Sequence, residues 1–474
     1  MQSASDNIFF KSIDVSYNTL EDTLKGDFRL DSGYYTNSDS IIHNIQTEPL
    51  SFFCSNVFMG PIFKRIEVTN KQYGVRFFAS NEIVSLSPSI TYLDIDQANK
   101  LNLIVKKGMI LITGYGTIGS VRIVDSTIDG FAIADNVTRI IPKNNLGYIA
   151  CFLSSKYGHQ LLNDYASGST IKFIQAPQIA KIPVPILDSI NVNNINDLYL
   201  KAVSCREKSF SILKDAHFLI LEYNNLPSIS EFEIETLDPN KEAQIRFTNL
   251  NEFTTDLRLD SHFYNPIAKI ADENIQRNSN RYMKLKDLTS EIVIGKRFKR
   301  NYVESGHGTP FIGSKNIIQI RPTELKYLSN SEIGFMSDLM LNKNMILIAC
   351  SGSLGGTFGK ACFVYKNFEN YAASQHILRV IANESLIDPG YLYAFLSSEY
   401  GYECITRYRW GALIDEIDNE DMSKLIIPLP KEIQQKEIGD LVRQAFDFRA
   451  DAIRFENEAQ DLLTSALNNA KTIS

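Results

Sequence analysis

The chain has 474 residues, 44 % of them hydrophobic and 22 % charged, which suits a folded protein of two or more domains and excludes a disordered chain. No apolar run approaches the ~20 residues of a membrane-spanning helix, so no membrane partner is expected. The formal net charge of −7 argues against a small, wholly basic DNA-binding domain. It still allows DNA contact wherever Lys and Arg cluster.

The six cysteines and six histidines are dispersed along the chain. They form neither a C-x-x-C pair nor an H-x-x-x-H pair, so we expect buried thiols in a reducing compartment and no metal site. The first residues lack the basic and then apolar order of a signal peptide, which indicates a cytoplasmic protein.

In chain order, each half begins with short β-branched runs separated by Gly, Asn and Asp, which are typical of strands. A helix follows the runs in each half, so we expect an α+β unit that occurs twice. The predicted strands are Ile83–Leu86, Leu103–Thr113, Val121–Val124, Met345–Ala349 and Ala361–Tyr365, and the predicted helices are Gly147–Tyr165 and Pro389–Tyr408.

A longer helix is predicted at the end of each half, after the helix breakers Pro185 and Pro430. Apolar residues there step by threes and fours, which marks an amphipathic helix with a narrow seam. The second helix, roughly Glu437 to Ala470, would be ~50 Å long. We expect the two helices to pair with each other as an antiparallel coiled coil.

The two halves match each other block by block, which indicates an internal duplication. The displacement between matching residues drifts only from 229 to 245 positions. Examples are Arg29–Ser32 with Arg258–Ser261, Met109–Ile112 with Met345–Ile348, Phe152–Gly158 with Phe395–Gly401, and Ile182–Pro185 with Ile427–Pro430. The duplication predicts a first globular domain at 1–187, a long helix at 188–226, a linker and second domain at 227–430, and a second long helix at 431–474.

A basic block recurs at one register in both halves. Gly295–Arg300 holds four cations and one aromatic residue in six positions, and the first copy keeps Phe63, Lys64 and Arg65. Such a cluster can neutralise phosphates and read guanine edges, although a solvated hairpin is the alternative. The predicted DNA contacts here are Lys64, Arg65, Lys71, Arg76, Lys296, Arg297, Lys299, Arg300 and Lys315.

Glycine-rich loops follow a predicted strand at Gly114–Gly119 and Ser351–Gly356. Neither has the Lys-Ser/Thr ending of a phosphate-binding loop, so a hairpin with positive φ angles is favoured over a nucleotide cradle. A third interpretation is close backbone approach to DNA, with Tyr115, Thr117 and Ser353 as contacts.

The only tryptophan lies in Arg407–Gly411, which aligns with Tyr165–Gly168 of the first half. The glycine is common to both copies, whereas the arginines and the tryptophan are not. Such a difference suits two modules that read different DNA sequences, so Arg407, Arg409 and Trp410 are further predicted contacts. A surface turn after a helix is the alternative.

No catalytic signature is present. There is no Asn-Pro-Pro-Tyr or Asp-Pro-Pro-Tyr tetrapeptide, dinucleotide fingerprint, Walker loop or nucleophile elbow. The acidic pairs Asp415/Glu416 and Asp418/Glu420 are interpreted as helix-start and turn carboxylates. We therefore expect no active site in this chain.

Taken together, the chain resembles the specificity subunits of Type I restriction-modification systems. The shared features are R-L-D-S-x-(aromatic)-Y, the glycine-rich hairpin, F-L-S-S-x-Y-G, I-P-x-P and the long helix, each present twice. The resemblance covers almost the whole chain, and it implies a prokaryotic, non-catalytic protein whose two domains each read one half of a bipartite DNA target.

The resemblance also implies the partners. The two helices would fix the half-site separation and dock two modification subunits, which carry the adenine methyltransferase activity and bind S-adenosylmethionine. Restriction subunits that use ATP and Mg²⁺ would join them, and no cofactor is expected in this chain. The alternatives are a specificity subunit of a related defence or Type II system, a duplicated protein scaffold without DNA binding, and an unrecognised enzyme.

Overall fold

A computed structural model describes residues 42, 45–68, 71–86, 91–168, 171–229, 258, 260–323, 325–330 and 336–473. The predicted motif Arg29–Ser32 and the aromatic pair Tyr34–Tyr35 lie outside these residues, as does Leu259 in the second copy of the motif. In the described part of the chain, no helix combines the length and the apolar character that crossing a membrane requires.

The first unit contains two sheets and a strand pair. The strands are β1 (Thr47–Pro49), β2 (Cys54–Phe58), β3 (Gly74–Phe78), β4 (Thr91–Asp94), β5 (Ile110–Thr113), β6 (Val121–Ile123), β7 (Ala132–Ile133), β8 (Val137–Pro142) and β9 (Pro183–Pro185). One sheet has the order β2-β8-β5-β6 and is antiparallel throughout. The other has the order β4-β3-β7, in which β3 and β7 are parallel, and β1 pairs with β9.

The helices of the first unit lie around these sheets and are followed by the first long helix. They are α1 (Leu50–Phe53), α2 (Ile95–Lys100), α3 (Leu146–Ser154), α4 (Lys156–Asp164), α5 (Ala176–Ala180) and the long α6 (Ser189–Tyr223).

The second unit repeats this plan. Its strands are β10 (Tyr282–Lys284), β11 (Thr289–Ile294), β12 (Tyr302–Val303), β13 (Gly308–Ile312), β14 (Lys326–Ser329), β15 (Ile346–Ala349), β16 (Ser351–Gly352), β17 (Ala361–Phe363), β18 (Ala372–Ala373), β19 (Ile377–Ala382), β20 (Asp415–Glu416) and β21 (Ile426–Pro428). The sheet orders are β11-β19-β15-β17 and β12-β14-β13-β18, and β10 pairs with β21 and β16 with β20.

The helices of the second unit are followed by the second long helix. They are α7 (Pro266–Asn278), α8 (Ser314–Ile317), α9 (Met336–Leu339), α10 (Pro389–Ser397), α11 (Glu399–Arg407), α12 (Asn419–Ser423) and the long α13 (Glu432–Ile473). The predicted α+β class and the internal duplication are confirmed.

Several predicted elements need correction. Ile83–Leu86 is not a strand, because its only β contact is an isolated bridge at Ser85. In Leu103–Thr113 only β5 is extended in a sheet. Asp415 and Glu416 form strand β20 instead of a helix start, whereas Asp418 does cap helix α12.

The single helices predicted at 147–165 and 389–408 are each broken at a serine. Ser155 ends α3 and caps α4, accepting from the Gly158 N–H at 3.2 Å, and a Cβ on Gly158 would lie 2.2 Å from a main-chain oxygen. Ser398 and Gly401 repeat this geometry between α10 and α11. The F-L-S-S-x-Y-G motif is therefore a helix break that needs a serine cap and a glycine.

The last strand of each unit is anchored to a helix within the I-P-x-P motif, at the second proline in the first unit and at the first proline in the second. The structure thus matches Pro183–Pro185 with Ile426–Pro428, two residues away from the predicted alignment of the motifs. The Tyr148 hydroxyl of α3 donates to the Pro185 carbonyl at 2.6 Å, and the Tyr391 hydroxyl of α10 donates to the Pro428 carbonyl at 2.6 Å. Both tyrosines are buried, so each bond fixes the point from which a long helix leaves its unit.

Helices α6 and α13 lie side by side in opposite directions. Arg206 is ion-paired with Glu456, and further along α6 the Tyr223 hydroxyl donates to Glu437 at 2.8 Å. As the chain advances along α6, its partners therefore move back along α13. The interlocking side chains that define a coiled coil remain a prediction.

Each unit packs on both long helices. The core of the first unit includes Ile195 and Tyr199 of α6 together with Leu463 and Leu467 of α13. The core of the second unit uses the other ends, with Leu213, Ala216 and Ile220 of α6 and Ile438, Val442 and Ala445 of α13. The helix pair therefore carries one unit at each end.

Candidate nucleic-acid interface

A basic loop follows the edge strand of one sheet in each unit. It follows β2 in the first unit, where Lys64 and Arg65 are exposed, and β11 in the second, where Lys296, Arg297 and Lys299 are exposed. These five side chains are accessible to an anionic partner.

One arginine in each loop lies on the neighbouring sheet instead of extending freely. The Arg65 guanidinium is 4.7 Å from the centroid of the Phe77 ring, and the Arg300 guanidinium is 5.2 Å from that of Phe311. Arg300 also donates to the Gln375 amide oxygen. These cation–π contacts occupy equivalent positions and hold each loop against its unit.

A buried arginine lies beneath each basic loop. Arg139 donates to a carbonyl of β7 at 3.2 Å and Arg379 donates to a carbonyl of β18 at 3.0 Å. A Cβ on Gly60 or on Gly295 would lie 3.3 Å from these guanidinium groups. Burial lowers the pKa of Arg139 to about 10, with Asp135 acting in the opposite sense, so the group remains charged at neutral pH.

The glycine-rich loop of the first unit pairs with the chain that follows α4. It joins β5 to β6 as a hairpin, as predicted, and Gly116 has a φ of 73°. The Tyr115 ring stacks on the Phe173 ring at a centroid distance of 5.6 Å, and Ile171 beside it is 67 % exposed. We name residues 114–119 with 165–168 and 171–174 the first tip.

The second unit forms an equivalent tip with different side chains. Strand β16 in its glycine-rich loop pairs with β20, and the Leu354 N–H donates to the Asp415 carboxylate at 2.8 Å. Trp410 is 43 % exposed and Leu413 is 98 % exposed. We name residues 351–356 with 408–417 the second tip. The two tips thus have one frame and present different surfaces.

The turn between the tips' strands needs glycine in both units. Gly168 and Gly411 have φ angles of 96° and 107°. A Cβ at either position would also lie within 2.3 Å of a main-chain oxygen. This explains why the glycine is the residue that the two otherwise different turns share.

The predicted DNA contacts Arg407 and Arg409 also have partners inside the protein. Arg407 is ion-paired with the buried Asp272, and Arg409 pairs with Asp415 at 3.2 Å and contacts His262. These bonds fix the second tip to helix α7 and to its own strand.

The second copy of the R-L-D-S motif supports the same turn. Arg258 donates to the Tyr408 carbonyl at 3.0 Å and pairs with Asp260 at 2.7 Å, and Phe263 is buried beneath it. The motif therefore positions the tip through backbone contacts, so we assign it a structural role.

A cavity of about 1090 Å³ lies between the two units and the long helices. Four predicted contacts line it, namely Lys71 and Arg76 of the first unit with Arg407 and Arg409 of the second. The Arg76 guanidinium also lies 5.1 Å from the Phe131 ring centroid. The structure therefore brings these four cations to one place, although their chain positions are far apart.

The other predicted residues lie outside this cavity. Thr117, Ser353 and Trp410 are exposed on the tips, and Lys315 is exposed on α8. Among the residues that the structure describes, no three His, Cys, Asp or Glu side chains form a group that could hold a metal ion.

Sequence reasoning did not single out the buried charges Arg139, Arg379 and Glu456. Each of the two arginines interrupts an apolar strand, and they match at a displacement of 240 positions, so comparing the two copies would have revealed them. Glu456 gave no such signal, because it lies among other exposed-looking charges of a long helix.

The architecture defines a duplicated recognition protein with two different tips on a helical spacer. Comparison with family models gives its class, since the model described as "Type I restriction modification DNA specificity domain" matches residues 53–191 and 279–458, more than half of the chain. The chain belongs to this family, and its two recognition units correspond to the two matches.

Similar chains occur among solved structures. The S subunit of a Type I restriction-modification system from M. genitalium is 13 % identical, with 90 % of this chain and 96 % of that chain covered and a TM-score of 0.33. The HsdS subunit from Thermoanaerobacter tengcongensis is also 13 % identical, with coverages of 90 % and 97 % and a TM-score of 0.28. No curated protein sequence matches this chain.

Proposed function

We propose that this chain reads a bipartite, asymmetric sequence in double-stranded DNA and catalyses no reaction itself. One observation carries the proposal: the two tips share one frame but differ at equivalent positions, since Trp410 pairs with Glu416 in the second tip where Ser167 pairs with Phe173 in the first. A shared frame gives both units the same approach to DNA, and unlike tips give them different base preferences.

The basic loops supply the part of binding that does not depend on sequence. Lys64 and Arg65 in one unit, and Lys296, Arg297 and Lys299 in the other, are exposed and can neutralise phosphates. The tips then supply base contacts: Trp410 and Leu413 can meet thymine methyl groups in the major groove. Phosphate contacts thereby orient each unit, and the tips give specificity.

The long helices set the distance between the two half-sites and dock the partner subunits. We propose two modification subunits, which carry S-adenosylmethionine and the adenine methyltransferase activity. Restriction subunits that use ATP and Mg²⁺ join through them. The net charge of −7 supports this arrangement, because a protein whose basic groups are local leaves much of its surface for contacts other than phosphate.

Sequencing of modified adenines tests the proposal in cells that produce the chain together with a modification subunit of such a system. The expected result is one split motif with a fixed gap and a modified adenine in each half. Modification of a continuous motif, or assembly of the subunits without any sequence preference, would contradict it. The second outcome would support a protein scaffold, and methylation by the purified chain alone would reveal an enzyme.

A further inference from the structure

The two recognition units touch each other directly through a short stretch of antiparallel backbone. The Leu86 N–H of the first unit donates to the Ile318 carbonyl of the second at 2.7 Å, and the Ile320 N–H donates back to the Val84 carbonyl at 2.8 Å. Ser85 lies opposite Gln319 between these bonds. We name residues 84–86 and 318–320 the inter-unit bridge.

The bridge is excluded from solvent. Ser85 is 5 % exposed and Gln319 is 6 % exposed. The Gln319 side chain is also held in place, since its amide nitrogen donates to the Thr323 hydroxyl at 3.3 Å and its amide oxygen accepts from the Thr323 N–H at 3.1 Å. Buried main-chain groups that lose their partners are costly, so the bridge resists separation of the units.

A buried ion-pair cluster ties the same place to both long helices. Glu456 of α13 is 5 % exposed and is ion-paired with Arg206 of α6 and, at 3.6 Å, with Arg321 of the second unit. Arg321 also donates to the Asn457 side chain at 2.7 Å. Because Arg321 follows the bridge residue Ile320 directly, the bridge cannot shift without disturbing this cluster.

The first unit is tied to α6 at the same level of the helix pair. Glu207, the neighbour of Arg206, accepts a hydrogen bond from the Ser126 N–H at 2.7 Å and pairs with Lys107 at 3.5 Å. Both units are thus fixed to one turn of the spacer near its middle, in addition to their contacts at its two ends.

At each end of the spacer, one unit packs its core on both long helices. The first unit is held there by the bond from the Gly147 N–H to Asn196, at 2.9 Å, and the second by the pairing of Asp388 with Arg443, at 3.1 Å. A pivot at these points would change the distance between the two tips without any change in helix length. The contacts near the middle add a second point of attachment for each unit, which opposes such a pivot.

We propose that the inter-unit bridge and the Glu456 cluster set the gap between the two half-sites jointly with the helix pair. This inference rests on the proposed function, since it assigns the source of gap precision in the same bipartite reader. Val84–Leu86, Ile318–Ile320, Arg321 and Glu456 are therefore positioning residues that contact no base.

The first experiment tests the contact in the assembled complex. The backbone hydrogen bonds of the bridge flank Ser85 and Gln319. In this antiparallel arrangement the opposite Cα atoms lie about 4.5 Å apart, which is within disulfide range. The S85C/Q319C variant should therefore cross-link on mild oxidation and keep methylating the native target. Either single variant should form no internal cross-link. Absence of the cross-link, or loss of native-gap methylation when it forms, would overturn the proposal.

The second experiment measures gap tolerance. The assembled complex methylates a set of duplexes in which the gap is lengthened or shortened by one or two base pairs. In the I320P/R321A variant, which lacks the Ile320 N–H donor and the Arg321 side chain, methylation at the altered gaps should rise about tenfold relative to the native gap, a change that corresponds to about 1.4 kcal/mol. R321A alone should show a smaller rise, and R277A, which removes an exposed arginine elsewhere in the second unit, should show none.

The outcomes separate this inference from the proposed function. If the unmodified chain shows no dependence on the gap, the bipartite reader itself fails. If it is gap-dependent and the R321A and I320P/R321A variants keep the same tolerance, the helices alone set the gap and the inference is wrong. If I320P/R321A does not fold, the R321A result decides, with a rise in tolerance supporting the inference and unchanged tolerance overturning it.

Discussion

Removal of the exposed charges in the second basic loop should weaken DNA binding and make the affinity less dependent on salt concentration. The change is K296A/R297A/K299A. Arg300 is kept, because its guanidinium bonds to Gln375 and covers the Phe311 ring, so that its loss would also disturb the sheet. The three removed side chains are exposed, so the fold should be unaffected.

The magnitude follows from counterion release. If each cation neutralises one phosphate, the slope of log K against log salt falls by about 0.9 for each, or about 2.7 in all. If the variant and the unmodified chain bind equally at 1 M salt, the change in slope corresponds to a loss of about 100-fold in affinity at physiological salt. The loss is smaller if fewer than three of the cations contact phosphates. The loss should be similar for all DNA sequences, since phosphates carry no sequence information.

The assay is fluorescence anisotropy of the assembled complex with a labelled target duplex, at several salt concentrations between about 50 and 200 mM. The control, R277A/K284A/K286A, removes the same charge from exposed positions elsewhere in the second unit. A triple variant with unchanged slope and affinity would refute the proposed role of the loop. An equal loss in the control would show that net charge, not position, matters.

Three further predictions concern stability, measured by thermal or denaturant unfolding of the purified chain. Burial and, to a smaller extent, the charge of Arg449 lower the pKa of His217 to about 4. The folded chain should therefore be most stable above the unfolded pKa of about 6.5 and lose up to about 3 kcal/mol as the pH falls towards 4, and the H217Q variant should lose less stability over that range. Y148F and Y391F should each lower the free energy of unfolding by about 1 kcal/mol, and the two losses should add in the double variant, because each removes the same kind of hydroxyl bond from a different unit. Strongly unequal losses would argue against equivalent anchors. R407M should destabilise the chain by about 3 kcal/mol at neutral pH, because it leaves the buried carboxylate of Asp272 without its cation. The loss should be smaller in acid, where protonation neutralises that carboxylate, and an equal loss at both pH values would contradict this.

The features that depend on local pattern could be predicted from the sequence. Both long helices follow from residues spaced by threes and fours, and α13 extends a few residues beyond the predicted Glu437–Ala470 at each end. The glycine-rich hairpins follow from strand-like runs on either side of each loop. The duplication could be seen because matching blocks kept one order, and it gave the two-unit architecture.

The features that depend on contacts between distant segments could not be predicted in this way. Ile83–Leu86 has the composition of a strand, but its partner lies in the other unit, and no local pattern specifies such pairing. Hydrophobic periodicity continues through Ser155, so it hid the helix break. Arg407 and Asp272 are 135 positions apart, so the sequence could not distinguish a paired arginine from a free one.

The central claim is that two tips read two different half-sites, and one measurement tests it most directly. Trp410 and Leu413, which are exposed on the second tip, are replaced by alanine, and the adenines modified by the assembled complex are then sequenced. We predict that one half of the split motif is relaxed while the other half and the gap remain unchanged. Relaxation of both halves together, or of neither, would contradict the assignment of one half-site to each tip.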